Sequence, residues 1–283
     1  MTKQLIVNAD DFGRHVLIDR AVEVGVQRGL IRSATVMVTG TAFDDAVTLA
    51  RRTPSLGMGI HFMLVNARPV LPPDLIPSLI DPATGELWPD HGVFVKRFLS
   101  GKIKLPEVAK ECRAQLDTFL STGLVPTHAD SHQHMHVLPG IIDIIIDFCL
   151  DHGIPAMRIP AIPVSLFATR PGNLGEQVGR MGLHVLSERA RRKAVAAGLR
   201  VPEHFGGIVA GEAVDKKALR RILLTLKEGT TEIMLHPGTD NKVLIPDTAW
   251  DHDFEAELAG VTNPDLVDLV EQLGIHVCNF SNL

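Results

Sequence analysis

Short runs rich in β-branched residues alternate with longer helix-period segments along the whole 283-residue chain, and this alternation restricts the fold more than any other feature. The short runs fall at 5–9, 34–38, 57–62, 125–132, 156–159, 207–210, 231–236 and 276–280. Helical patterns occupy 15–29, 42–52, 106–121, 139–152, 214–227 and 264–273. Pro106 and Pro264 stand where a first helical turn tolerates a missing N–H, and Gly29, Gly123, Gly153 and Gly274 stand just past helix ends, where a left-handed residue is wanted. Repetition of strand and helix dictates parallel pairing, because parallel neighbours need a crossover between them. Seven or eight such units predict an irregular (β/α) barrel of parallel strands with insertions. An open doubly wound sheet fits the same pattern, since periodicity does not report closure.

Two segments interrupt the rhythm. The first, about 65–105, holds six prolines, Trp88 and Phe94, and reads as a wall or lid over a site or as a passive excursion. The second, about 160–205, carries a helical pattern near 175–197 whose basic run at 189–193 reads as a solvated face. No repeat, low-complexity tract or linker appears, so residues 1–283 are expected to form a single domain. The balance of 28 basic against 33 acidic side chains argues against a nucleic-acid binder. No apolar run approaches the ~20 residues of a membrane span, and the carboxylates at positions 10 and 11 speak against a secretory signal. Cys112, Cys149 and Cys278 are odd in number and widely spaced, which predicts neither a disulfide framework nor a thiolate metal site. A soluble cytoplasmic protein is expected, with a homodimer as the commonest assembly.

Histidine is the anomaly: thirteen occur, and His128, His132, His134 and His136 lie within nine positions. In a parallel barrel every strand C-terminus opens on one face, where active sites are built. Four runs deliver acid or imidazole there: Asp10-Asp11, His61, the 128–132 segment with Asp130, and His236. Singly, each has an ordinary reading. The aspartate pair is a helix N-cap, His61 a core residue and His236 part of a turn. Jointly, those readings require four coincidences at one end of the barrel. Carboxylate oxygen and neutral imidazole nitrogen suit Zn²⁺, Mn²⁺ and Co²⁺, with Mg²⁺ less fond of nitrogen. One aspartate and two histidines make a three-ligand set with an open position. Adjacent aspartates on extended backbone point opposite ways, so one can bind metal while its neighbour handles a proton. Alternation through Ser131 places His128, Asp130 and His132 on one face. His132, nearest the mouth, is favoured as a ligand with His128 as the alternative; His128 and Asp130 otherwise lie deeper and orient ligands. His134 and His136 are expected in the following loop, facing substrate or solvent. Arg158, at another strand end, reads as an anchor for Asp10, a substrate contact or a structural ion pair.

The strings NADDFG (8–13), GIHF (59–62), THADSHQHMH (127–136) and LHPG (235–238) resemble the YdjC-type carbohydrate deacetylases, in order and across nearly the whole chain. SATVMVTG (33–40), MRIP (157–160) and the insertion opening LVNARPVLPP (64–73) are similar too, the last to the hopanoid-associated HpnK branch. The resemblance implies a distorted (β/α) barrel and a divalent metal ion, Mg²⁺ or Zn²⁺ ahead of Mn²⁺ or Co²⁺, held by an Asp-His-His set. It implies hydrolysis of the acetamido group of an N-acetylated amino sugar. The substrate would be a chitooligosaccharide, or a lipid-linked N-acetylglucosamine such as a hopanoid glycoside reached by peripheral membrane contact. Carried residue by residue, Asp11, His61 and His132 become metal ligands, Asp10 the general base and His236 the acid that protonates the leaving amine. Apart from the resemblance, Trp88 and Phe94 in the first insertion read either as rings that stack on a sugar or as local packing. A metallo-phosphoesterase or other amidohydrolase is the competing enzyme class, although a two-metal site would want more carboxylates. A non-catalytic sugar binder would need neither Asp10 nor His236.

Overall fold

The computed structural model describes residues 2–162, 174–207 and 213–283. Seven strands appear among them: β1 (Lys3–Phe12), β2 (Ser33–Val36), β3 (Gly57–Phe62), β4 (His128–Ser131), β5 (His204–Gly206), β6 (Gly229–Leu235) and β7 (His276–Cys278). Every strand pair is parallel, as the crossovers require. The order is β4-β3-β2-β1-β6-β5, and β7 also pairs with β1. One edge of β1 is taken by β6; the other is shared, with β7 along Gln4–Ile6 and β2 from Asn8 onward. Beyond β4 the pairing thins to single bridges, Ala129 to Met157 and Ala156 to Arg200, just ahead of β5. The circuit is thereby completed as an irregular barrel, and the open-sheet alternative is set aside.

Most expected elements lie where the pattern puts them, with instructive exceptions. The 156–159 run supplies only bridges, and the 207–210 run falls outside the described residues from 208 on; the strand there is His204–Gly206. The 125–132 run pairs only from His128, because Val125 lies out in solvent. Gly123, Gly153 and Gly274 have positive φ, but Gly29 does not (φ −137°). Gly29 is needed for closeness instead, since a Cβ there would stand 2.4 Å from the Val261 carbonyl oxygen. Three helices had no readable pattern: His91–Leu99, Asn241–Thr248 and Phe254–Val261. Asn241–Thr248 and Phe254–Val261 carry little apolar periodicity, and His91–Leu99 lies inside the proline-rich insertion. Their starts are nonetheless written locally, because Asp90, Asp240 and Asp253 each accept a backbone N–H two or three residues on.

Alternation along β1 sorts its side chains cleanly. Leu5, Val7 and Ala9 join the large apolar core beneath the helices, whereas Ile6 joins Ala156, Cys278 and Phe280 in a separate cluster at the barrel floor. Above that floor the interior turns polar. Asn8, Thr35, Asp130, Arg158 and Glu232 are all fully buried. The first insertion is packed rather than irregular. Ile76, Leu79, Leu87, Trp88 and Phe94 belong to the main core. The sugar-stacking role expected of Trp88 and Phe94 is not supported: Phe94 has no exposed surface, and Trp88 donates from Nε1 to the Ser78 carbonyl while the Arg97 guanidinium covers its ring at 3.9 Å. Among the described residues no helix is long and apolar enough to cross a membrane.

Candidate metal centre and active site

The C-terminal end of β1 breaks its own alternation. Register with β2 slips between Ala9 and Phe12, and Asp11 adopts φ 57°, a left-handed conformation that costs a non-glycine residue ~1 kcal/mol or more. The two carboxylates take different partners, Asp11 meeting His61 Nε2 and Asp10 meeting Arg158 and Asn8, although each lies within 4.8 Å of a His61 ring nitrogen. Neither caps the following helix. That task falls to His15, whose Nδ1 accepts the Leu17 N–H at 3.1 Å.

Asp11 Oδ1 lies 3.3 Å from His61 Nε2 and 3.0 Å from His132 Nδ1. Behind them, Asp130 Oδ1 meets His61 Nδ1 at 2.6 Å, which aims Nε2 at Asp11. Asp11 Oδ1 and His61 Nε2 are buried yet have no hydrogen-bond partner. A cation with arms of ~2.1 Å at tetrahedral or octahedral angles sets its donors roughly 3.0–3.4 Å apart. The spacing and the orphaned atoms fit such an ion, and these three buried groups could hold one. The charge balance agrees, for Asp10 and Asp130 share the Arg158 guanidinium and Asp11 has only Arg14 Nη1, at 3.9 Å. Burial would push Asp11 up, but His132 and His61 hold it well below the ordinary carboxylate range. Burial likewise opposes a charged His61, yet Asp130 and Asp11 raise it to about 10. The cluster therefore demands positive charge.

Arg158 organises the layer beneath. Its Nη1 is 2.6 Å from both Asp10 Oδ2 and Asp130 Oδ2, its Nη2 donates to Asp10 Oδ1 at 2.6 Å, and its Nε donates to Glu232 Oε1 at 2.7 Å. Asn8 Nδ2 adds a 2.8 Å bond to Asp10 Oδ1. Of the three readings of Arg158, the geometry supports both the anchor for Asp10 and the structural ion pair, through Asp130 and Glu232, while full burial removes it from substrate. Glu232 loses more by burial than Arg158 returns, so its carboxyl is pushed up to about 7. A raised carboxyl stabilises the fold below its unfolded value, and that contribution fades as pH rises toward 7. Glu232→Gln is therefore expected to gain stability relative to the wild type between pH 5 and pH 8, measured by urea unfolding at both; a gap that stays constant would contradict this charge state.

Two histidine expectations need correction. His128 does not share the cluster: its ring stacks on Phe280 at 3.7 Å, its Nδ1 meets Thr127 Oγ1 at 2.9 Å, and burial pushes it down to about 3. The orienting role foreseen for His128 and Asp130 falls to Asp130. His136 faces neither substrate nor solvent. It is a buried strut between Ser131 Oγ (2.7 Å) and the Arg158 carbonyl (3.0 Å). Gln133 and His134 both have positive φ, and Gln133 Oε1 accepts the His91 N–H at 2.8 Å, tying the first insertion to the loop that carries His132.

His236 follows β6, and its backbone N–H donates to Glu257 Oε2. Burial lowers its pKa from the ordinary value, opposed by Asp10, Asp11 and Glu257. Trp250 and His252 stand edge-on to its ring, with centroids at 4.9 and 5.7 Å. Sequence reasoning missed Trp250, His252, Glu257 and Glu232. Glu232 alone left a signal, as the one charged residue in β6.

A model of the family described as YdjC-like protein matches residues 4–272. The chain belongs to the YdjC-like family. It is 36% identical over 290 residues to a chitooligosaccharide deacetylase of Enterobacter sp. (strain 638), covering 100% of both chains. It is 30% identical to a carbohydrate deacetylase of Homo sapiens, covering 99% of this chain and 91% of that one. A crystal structure of a proposed cellobiose-phosphate cleavage protein from Enterococcus faecalis V583 superposes with a TM-score of 0.77 at 24% identity, covering 100% and 99% of the two chains, which shows the shared fold.

Proposed function

We propose that this YdjC-like protein is a cation-dependent hydrolase that removes the acetyl group from an N-acetylated amino sugar, releasing acetate and a free amine. The observation that carries the reading is the meeting of Asp11, His61 and His132, with orphaned donor atoms, beside Asp10. The family membership and the deacetylase relatives support the same chemistry. Asp11 Oδ1, His61 Nε2 and His132 Nδ1 would hold the cation. When bound, it supplies a Lewis acid for the amide carbonyl and lowers the pKa of water toward ~7.

The chain's own residues do the rest. Asp10, held by Nη1 and Nη2 of Arg158, keeps its carboxylate fixed near His61 and takes the proton of the attacking water. Asp130 holds the His61 ring in one orientation. His236 delivers a proton from its ring to the departing amine. Burial favours its neutral form, while the negative charge of Asp10, Asp11 and Glu257 draws the proton in. Two imidazole donors favour a zinc-like ion over magnesium. The insertion at 64–73 supports the hopanoid-associated branch and a lipid-linked N-acetylglucosamine; the Enterobacter relative's name supports a chitooligosaccharide. Protein stripped with a chelator and reloaded with Zn²⁺ or Mg²⁺ is expected to release acetate from one of these two substrates, and to release none while stripped. Phosphate release from a generic phosphodiester, without acetate, would replace this reading with a phosphoesterase.

A further inference from the structure

His252 is a buried imidazole, 4% exposed, and neither of its ring nitrogens has a hydrogen-bond partner. An orphaned buried polar group costs ~1–3 kcal/mol, so its retention calls for a ligand. Its Nε2 stands 3.3 Å from Glu257 Oε1 without the alignment of a hydrogen bond. One ligand atom from each of His236, His252 and Glu257 lies within 4.8 Å of the others.

The arrangement repeats that of the first centre. There, His61 and His132 meet edge-on with ring centroids 5.7 Å apart and a carboxylate oxygen 3.3 Å from one Nε2. Here, His236 and His252 meet edge-on at 5.7 Å with a carboxylate oxygen 3.3 Å from the other Nε2. The supports are also in place. Trp250 stacks on His252 at 3.9 Å and fixes the ring plane. Glu257 sits on the helix Phe254–Val261, its Oε1 accepting the Val214 N–H at 2.8 Å and its Oε2 the His236 N–H. Each of those oxygens keeps a second acceptor position.

We infer that His236, His252 and Glu257 form a second cation site, selective for zinc-like ions. Two imidazoles and one carboxylate suit Zn²⁺ or Co²⁺ and leave a fourth position open, whereas Mg²⁺ prefers an all-oxygen shell. The site shares His236 with the reaction proposed above. On that reading, a cation there occupies the ring nitrogen that carries the proton, so surplus zinc inhibits.

Equilibrium dialysis of the chelator-stripped chain against Zn²⁺, and separately Co²⁺, followed by metal analysis, tests the site without reference to activity. Two equivalents are expected for the wild type, one for His252→Gln, one for His61→Ala and none for the double variant. A wild type that binds one equivalent, or a His252→Gln variant that still binds two, overturns the site. Circular dichroism melting checks that His252→Gln folds. If it does not, His61→Ala decides alone, since retention of one equivalent supports the site and loss of all overturns it. Acetate release is measured in parallel. Surplus zinc is expected to lower it by about a hundredfold, the scale of a lost general acid. Two equivalents bound at saturation, with no acetate formed at any lower zinc loading, would remove the deacetylase reading and leave the site standing. Acetate formed with one equivalent bound would do the reverse.

Discussion

Replacing His61 by alanine is expected to empty the Asp11–His61–His132 centre and to lower acetate release by at least ~100-fold. His61 Nε2 is one of three donors, and no neighbouring group among the described residues can take its place: His128 is stacked on Phe280 and His136 is bonded at both nitrogens. The fold should survive, because Asp130 loses its imidazole partner at Oδ1 but keeps Arg158 and Thr35 at Oδ2. One unpaired buried oxygen costs ~1–3 kcal/mol. Metal analysis of the purified variant and its acetate yield check the result together. Undiminished turnover in metal-free His61→Ala would refute the ligand assignment.

The largest effect on stability is expected at Arg158. Exchanging it for methionine keeps much of the side-chain bulk but leaves Asp10, Asp130 and Glu232 buried without their shared cation. Breaking such a network from one side costs ~3–5 kcal/mol, a large share of a domain's total stability. The pH dependence identifies the cause. In the wild type, Arg158 and His61 hold Asp130 far below the ordinary carboxylate range, despite the burial that would raise it. Asp130 thus stabilises the fold at every pH above its unfolded value of ~3.9, and that contribution is lost as pH falls toward the folded value. Without the guanidinium the same burial raises Asp130, and the penalty grows as pH climbs through the raised value. Urea unfolding should therefore show a smaller deficit at pH 5 than at pH 8. A deficit independent of pH would point to lost packing instead.

The barrel was legible because its information is local. Period-two and period-3.6 patterns mark β1, β3 and most of the long helices within a few residues, and parallel pairing follows from their alternation. Three short helices were not legible, since two carry weak periodicity and the third sits in the proline-rich insertion, whereas the equally short Lys216–Leu224 and Pro264–Gln272 were. Packing of the first insertion was hidden for a related reason. Its prolines mask a set of apolar contacts that become visible only when the chain folds back on the core.

At the site, residue type and position along the strands already singled out the Asp10-Asp11 pair, His61, the 128–132 segment and His236, because carboxylate and imidazole at strand ends must face one mouth; the resemblance, not the pattern, chose Asp11 over Asp10. Alternation alone could not rank His128 against His132; the tertiary structure separates them by stacking one ring on Phe280 and turning the other toward Asp11. Nor could it foresee that a register slip and a left-handed Asp11 would end the strand's alternation there. Glu232 lies 74 residues from the Arg158 it meets, and Glu257 lies 21 residues from His236. Sequence by itself determined which chemical groups the barrel carries and which end they occupy, since strand period and residue type are properties of neighbours along the chain. Only the tertiary structure decided which of them touch, because contact across a barrel depends on strand register, backbone kinks and ring stacking between distant segments.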